Sequence, residues 1–115
     1  SPTARDVDGV LQPLCRMVAG LDAGAAAFVI ACFSDPGLFS ARETTRKPVL
    51  GIMECGILTA LTLGQRFGVI AILETSISRH LRTINAMGVQ SRLAGERAIA
   101  ENIDDSIMEL DEAAF

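Results

Sequence analysis

The stretch that decides the fold is residues 25–37, which read AAAFVIACFSDPG. Its first half is an unbroken apolar run, short and rich in Phe, Val and Ile, which is typical of a strand buried on both faces of a parallel sheet. Periodicity alone leaves a buried helical segment open as the alternative. The second half turns polar and ends in Pro36-Gly37, which the interior of a strand does not accept. The run therefore predicts a strand over residues 28–32 that ends in a sharp turn.

Cys32 stands at the carboxyl end of this predicted strand, the edge of an open α/β sheet at which ligands bind. The turn after it leads into a predicted helix. Backbone N–H groups there would favour a thiolate and lower the pKa of the thiol from its usual value of about 8.5. The alternative is that Cys32 is a small buried hydrophobic residue, which is the usual fate of a free cysteine. Its position makes Cys32 the strongest candidate for chemistry.

Composition excludes several classes of protein. The 115 residues carry a net charge of −4 without a long basic run, which argues against a nucleic-acid partner. No window of eighteen or more residues lacks a charge, so we expect no membrane span. The three cysteines are an odd number and the sequence shows no secretory leader, which favours reduced thiols in the cytoplasm. The sequence lacks dinucleotide, P-loop, zinc and EF-hand spacings, so no cofactor or metal is expected.

Helix-like and strand-like segments alternate along the rest of the chain. Helices are predicted to begin near Pro13, Pro36 and Cys55, and to cover residues 77–87 and 103–113. Further strands are predicted over residues 48–52, 67–73 and 97–100. This alternation predicts a three-layer α/β fold with a parallel sheet. The glycine-bracketed turn at residues 64–66 divides it into predicted domains 1–65 and 66–115.

The helix over residues 77–87 is predicted to start at a cap formed by Thr75 and Ser76 and to end at Gly88. Its buried stripe is predicted to consist of Ile77, Leu81 and Ile84. Its solvated face is expected to carry Arg79, His80 and Arg82. His80 is the single histidine of the sequence, so it has no second histidine with which to form a metal cluster.

Other polar residues and thiols receive structural interpretations. Cys15 is expected to pack in the core from the first helix, and Cys55 to pack at the start of the third, although Cys55 could also face the same sheet edge as Cys32. Glu54 is interpreted as a helix cap or a ligand contact. A solvated face is predicted for Arg42, Arg46 and Lys47.

Several stretches resemble one known family. The most specific is residues 31–38, ACFSDPGL. The others are ARE at 41–43, PVLGI at 48–52 with Glu54, LG at 63–64, RFGVI at 66–70 and TSI at 75–77. Together they resemble the aspartate/glutamate racemase superfamily, in particular its hydantoin and allantoin racemase branch. The resemblance covers most of residues 26–93.

The resemblance implies a cofactor-independent racemase or epimerase of a hydantoin-like or amino-acid substrate. In such enzymes two cysteines flank the substrate α-carbon, and one thiolate removes a proton while the opposite thiol returns one to the other face. Cys32 matches the first of these cysteines. The enolate oxygen needs preorganised donors. For these the resemblance suggests Phe33 and Ser34, through their main chain, and the turn at Thr75 and Ser76.

The sequence also departs from the family pattern. Members are about twice as long, open with a strand and an Asn-Pro-Asn-Thr-like loop, and carry the second cysteine in a late Gly-Cys-Ala-Gly-like turn. Neither stretch occurs here, neither Cys15 nor Cys55 matches the late turn, and Glu74 replaces a frequent proline. The chain is therefore expected to be an incomplete segment that is inactive as a racemase by itself.

Three functional hypotheses stay open at this point. The first is the two-thiol racemase. The second is a single-cysteine decarboxylase or cis–trans isomerase of the same superfamily, and the third is a non-catalytic, oligomerising α/β module. In each case a homo-oligomer is expected, because a cut parallel sheet leaves apolar edges exposed.

Overall fold

The computed structural model describes Gly9 and residues 11–100, with the backbone alone for Ala100. The described residues form two compact units that divide between Thr59 and Ala60. The predicted helix over residues 103–113 lies outside the described residues. The predicted domains 1–65 and 66–115 stay a prediction.

The first unit contains two parallel strands and the helices that connect them. In chain order these are α1 (Leu11–Leu21), β1 (Phe28–Ile30), α2 (Leu38–Thr44) and β2 (Val49–Gly51), followed by α3 (Ile52–Leu63), which continues into the second unit. β1 and β2 pair in register, Phe28 with Val49 and Ile30 with Gly51. The core consists of Val18, Ile30, Leu38, Ala41 and Val49, with Leu14 and Phe28 packed against it.

A polar cluster at the amino ends of these strands joins the loops before β1 and β2. The Lys47 ammonium donates to the carbonyl oxygen of Ala25 at 2.6 Å and to that of Asp22, and the Thr45 hydroxyl donates to the Asp22 carboxylate. Lys47 is therefore a structural residue, and its predicted place on a solvated face is wrong. The bonds draw the two loops together, so the strands pair in the observed register.

The second unit contains β3 (Phe67–Leu73), α4 (Ile77–Met87) and β4 (Leu93–Ala100). β3 and β4 are parallel, with a register shift between Phe67 and Gly68. Alternate residues of β3 face inward, and with Ile84 of α4 they form the core of this unit: Phe67, Val69, Ala71 and Leu73. Gly88 adopts a φ of +76°, which ends α4 as predicted.

Within residues 11–100 the predicted helices and parallel strands are present, and the chain has a mixed α/β fold. Several boundaries differ: β1 ends at Ile30, α3 begins at Ile52 and β4 begins at Leu93, while α1, α2 and β2 differ from their predicted limits by one or two residues. β4 is longer than predicted because it pairs with the strong strand β3 along most of its length. None of the helices within residues 11–100 combines the length and the apolar character needed to cross a bilayer.

Burial also differs from the prediction in β1 and α4, where Leu81, predicted in the buried stripe, is 37% exposed. Val29 is 61% exposed, so β1 is buried on one face only rather than on both. Arg79 and His80 are buried rather than solvated. The cause for His80 is a partner on the neighbouring strand: its Nδ1 lies 2.5 Å from a carboxylate oxygen of Glu96, which faces α4 from β4.

Candidate functional site

Cys32 lies two residues beyond β1 at the start of a tight turn, and its side chain is exposed. The Asp35 N–H donates to the Cys32 carbonyl oxygen at 3.0 Å, which closes the turn. The Leu38 N–H then donates to the Asp35 carbonyl oxygen at 3.2 Å and leads the chain into α2. The Cys32 sulfur lies 3.8 Å from the Phe33 carbonyl oxygen. The thiol therefore sits at the carboxyl end of β1, as predicted, and is accessible.

The backbone of this turn is held in an unusual conformation. Ser34 has a φ of +98° and Asp35 a φ of +53°, and these are the residues other than glycine with positive φ in the described part of the chain. Such conformations cost of order 1–3 kcal/mol each and persist where surrounding contacts fix them. Ser34 and Asp35 are 8% and 7% exposed, so the strained residues are packed inside the unit.

The Asp35 carboxylate fixes the turn against the start of α3. One oxygen accepts the backbone N–H of Met53 at 2.9 Å and the other accepts that of Glu54 at 2.8 Å. These are the second and third residues of α3, whose N–H groups have no partner within the helix. A carboxylate there is also favoured by the helix dipole.

Gly51 makes this contact possible. A Cβ atom at Gly51 would lie 2.3 Å from the Asp35 Cγ and within 2.6 Å of both carboxylate oxygens. No side chain fits between β2 and the carboxylate, so the position requires glycine.

Arg42 connects the end of α2 to β2 and to the first turn of α3. Its Nε and Nη2 donate to the Val49 carbonyl oxygen at 3.1 and 3.0 Å, and Nη2 also donates to Glu54 Oε1 at 2.9 Å. The hydrogen bond to Glu54 raises the pKa of the Arg42 guanidinium, against the opposing effect of burial, and the negative charge of Asp35 adds to the rise. Arg42 thus joins α2, β2 and α3 with a half-buried side chain, whereas Arg46 is exposed as predicted. Glu54, interpreted from the sequence as a helix cap or a ligand contact, forms an ion pair with Arg42.

The other two cysteines differ in their surroundings. Cys55 is exposed in the first turn of α3, so its predicted packing role is wrong. Cys15 is half-buried on α1. It lines an open groove of about 380 Å³ together with Leu11, Gln12, Arg16 and Ser40.

Thr75 and Ser76 belong to the second unit. They lie in the 3₁₀ turn Glu74–Ser76 between β3 and α4, Thr75 exposed and Ser76 buried. Ser76 occupies the N-cap position of α4 as predicted, but its side chain makes no capping hydrogen bond. Their predicted role in substrate binding stays a prediction, as does that of Phe33 and Ser34. The described residues contain no group of three or more His, Cys, Asp or Glu side chains arranged for a metal ion.

Sequence reasoning found Cys32 but missed the role of Asp35. The bond from Asp35 to α3 spans eighteen residues and depends on a backbone conformation that no local pattern reveals. One signal was available, because a glycine that closes a short apolar strand often marks the close approach of another group. Gly51 is such a glycine.

A parallel α/β fold with an exposed thiol at the carboxyl end of its first strand fits a known class of enzymes. The family model for Asp/Glu/hydantoin racemase matches residues 2–114. The chain belongs to the Asp/Glu/hydantoin racemase family.

Individual relatives place the chain in the hydantoin racemase branch. A hydantoin racemase of Pseudomonas sp. (strain NS671) is 35% identical over 99 residues, which are 86% of this chain and 39% of that protein. A hydantoin racemase of Rhizobium meliloti is 36% identical over 84% of this chain and 39% of its own length. The chain thus spans about two fifths of the length of these relatives.

The fold has a solved counterpart. The allantoin racemase from Klebsiella pneumoniae superposes with a TM-score of 0.85 at 23% identity, over 99% of this chain and 46% of that one. The chain therefore has part of the Asp/Glu racemase fold.

Proposed function

We propose that this chain supplies one of the two acid/base thiols of a racemase that needs no pyridoxal phosphate and acts on a hydantoin-like or amino-acid substrate. Cys32 is the proposed thiol. The observation that carries the proposal is that the Cys32 thiol is exposed on a turn, and that Asp35 ties this turn to α3 through the N–H groups of Met53 and Glu54. The relatives named hydantoin racemase support the substrate class.

The chemistry requires a base on each face of the substrate. The Cys32 thiolate takes the proton from the α-carbon, and the electron pair of the C–H bond passes into an enolate. A second thiol on the opposite face then delivers a proton to the carbon and inverts it. A single base that returned its proton to the same face would leave the configuration unchanged.

The developing enolate oxygen needs hydrogen-bond donors placed before reaction. We propose the main chain at Phe33 and Ser34, and the turn at Thr75 and Ser76, as the parts of this chain that contact the substrate. Ser34 is supported by its fixed, strained backbone, and Ser76 by its position at the N-terminus of α4, where backbone N–H groups are free of partners within the helix.

The chain by itself is expected to exchange the α-proton without racemising the substrate. Neither Cys15 nor Cys55 resembles the family's second thiol, so Cys32 would act from one face. We also propose that the protein works in the cytoplasm with its thiols reduced, and that it assembles as a homo-oligomer.

The test uses an enantiopure 5-substituted hydantoin in D₂O, with proton NMR for exchange and polarimetry for configuration. We expect the 115-residue chain to accelerate deuterium incorporation while the optical rotation persists. Cys32→Ser should abolish the acceleration, and Cys55→Ser, which removes another exposed thiol, should retain it.

Each other outcome has a defined meaning. Full acceleration in the Cys32→Ser variant would contradict the proposal. Loss of optical rotation at an enzyme-like rate would contradict the expectation that Cys32 acts on one face of the substrate only. Release of CO₂ from a carboxylated substrate, without accelerated exchange of the hydantoin α-proton, would favour the single-cysteine decarboxylase instead.

A further inference from the structure

Asp35 connects the turn that carries Cys32 to the first turn of α3. Its side chain occupies the place that an N-cap residue takes, since it accepts the N–H groups of the second and third residues of the helix. Asp35 lies sixteen positions before Gly51, the residue that directly precedes α3. Gly51 has no side chain with which to cap the helix itself.

A local cap would satisfy the helix more simply. Serine or aspartate at position 51 could bond the same N–H groups without help from another loop. The chain instead places glycine there and holds Asp35 at a φ of +53° beside Ser34 at +98°. The strained backbone gives α3 nothing that a local cap would not give. It does fix the turn that begins at Cys32.

We propose that Asp35 is a positioning residue for the Cys32 thiol, a role that rests on the proposed function. By bonding two backbone N–H groups of α3 it holds residues 32–35 in the tight turn and sets the direction of the Cys32 side chain at the sheet edge. Gly51 is needed for the same contact, because the Asp35 carboxylate fills the space that a side chain at position 51 would occupy.

Positioning and capping can be separated by two variants. Asp35→Ala removes both functions. Asp35→Ala combined with Gly51→Ser returns a cap to α3 from position 51 but leaves the Cys32 turn unattached. The three atoms nearest to a Cβ at position 51 all belong to the Asp35 carboxylate group, which this background removes.

The first readout is the hydantoin exchange assay, with circular dichroism and thermal unfolding on the same samples. We expect Asp35→Ala to lower kcat for exchange about a hundredfold, the effect of a misplacement near 1 Å, with little change in KM. The double variant should recover helix content and stability but not kcat. Asp35→Asn, which retains one acceptor oxygen, should lie between wild type and Asp35→Ala.

The second readout does not depend on activity. Iodoacetamide labelling followed by mass spectrometry gives separate rates for Cys32 and Cys15. In Asp35→Ala the Cys32 rate should rise severalfold because the turn is released, while the Cys15 rate stays constant. The rise should persist in the double variant. As a matched control, Asp22→Ala removes the carboxylate at the opposite end of the strands and should lower stability without changing the Cys32 rate.

The outcomes distinguish the two proposals. If Cys32→Ser retains exchange, the proposed function fails. If Cys32→Ser abolishes exchange but Asp35→Ala keeps both kcat and the labelling rate, the positioning role fails and the function stands. Recovery of kcat and of the wild-type labelling rate in the double variant would show that Asp35 is merely a helix cap.

Discussion

At the scale of single residues, the contact between Gly51 and Asp35 gives the sharpest stability prediction. Gly51→Ala would place a methyl group 2.3 Å from the Asp35 Cγ, so the carboxylate must leave the start of α3. We expect a loss of about 2–4 kcal/mol in the free energy of unfolding, from overpacking and from broken hydrogen bonds to a charged group. Urea denaturation followed by circular dichroism measures it.

Gly56 provides the matched control, five residues further along the chain. It lies inside α3, and an added Cβ would meet nothing within 4 Å. Gly56→Ala should therefore stabilise the protein by about 0.5–1 kcal/mol, because alanine loses less backbone entropy than glycine in a helix. Equal effects of the two substitutions would contradict the described Asp35 contact.

The same residues show how far the sequence predicts the site. Cys32 was predicted at a sheet edge because an apolar run, a polar switch and Pro36-Gly37 follow one another within a few residues. The Asp35 bonds to Met53 and Glu54 could not be predicted, since they join distant residues through a turn with two positive φ angles. Local patterns revealed the thiol, and only three-dimensional contacts revealed what holds it.

At the scale of elements, the buried pair of His80 and Glu96 links α4 to β4. The side chains are 6% and 2% exposed, and Glu96 Oε1 has no hydrogen-bond partner among the described residues. His80→Ala would leave the carboxyl group buried without its partner. We expect a loss of about 3–5 kcal/mol, measured by thermal or urea unfolding.

The control and the double variant test whether the pair itself is responsible. Arg82→Ala changes an exposed residue of the same helix and should have an effect within about 0.5 kcal/mol. His80→Ala combined with Glu96→Leu removes both polar groups and should recover part of the stability. A double variant as unstable as the sum of its single changes would contradict coupling between the two residues.

Element boundaries were predicted best where local signals were strong. Residues 67–73 and 77–87 match β3 and α4 because one segment is dense in β-branched residues and the other ends at Gly88. The burial of His80 could not be read from α4 alone, because its partner Glu96 lies on a strand whose start was predicted four residues too late.

At the scale of the whole molecule, apolar surface predicts self-association. On the outer face of the second unit's sheet, Ile70 and Ile72 of β3 are 81% and 57% exposed and Ile99 of β4 is 37% exposed. These three isoleucines lie beside the exposed Arg97 on the same face, and a cluster of exposed apolar side chains rimmed by charge is typical of a contact surface. We expect a second copy of this chain to cover it.

Sedimentation velocity over a wide range of protein concentration tests this expectation. Wild type should show concentration-dependent association, and Ile70→Lys combined with Ile72→Lys should weaken it. Leu63→Lys is the control, because Leu63 is 84% exposed and belongs to a helix rather than to the sheet. A wild-type chain that stays monomeric at all concentrations would contradict the prediction.

The central claim is that a substrate α-carbon is held against the Cys32 thiol, and a protection experiment tests it most directly. The chain is labelled with iodoacetamide in the presence and absence of a 5-substituted hydantoin. Mass spectrometry follows the labelling of Cys32 and of Cys55, which is also exposed. We predict that the hydantoin slows labelling of Cys32 in a saturable manner and leaves Cys55 unaffected. Labelling of Cys32 that is indifferent to saturating hydantoin would contradict the account.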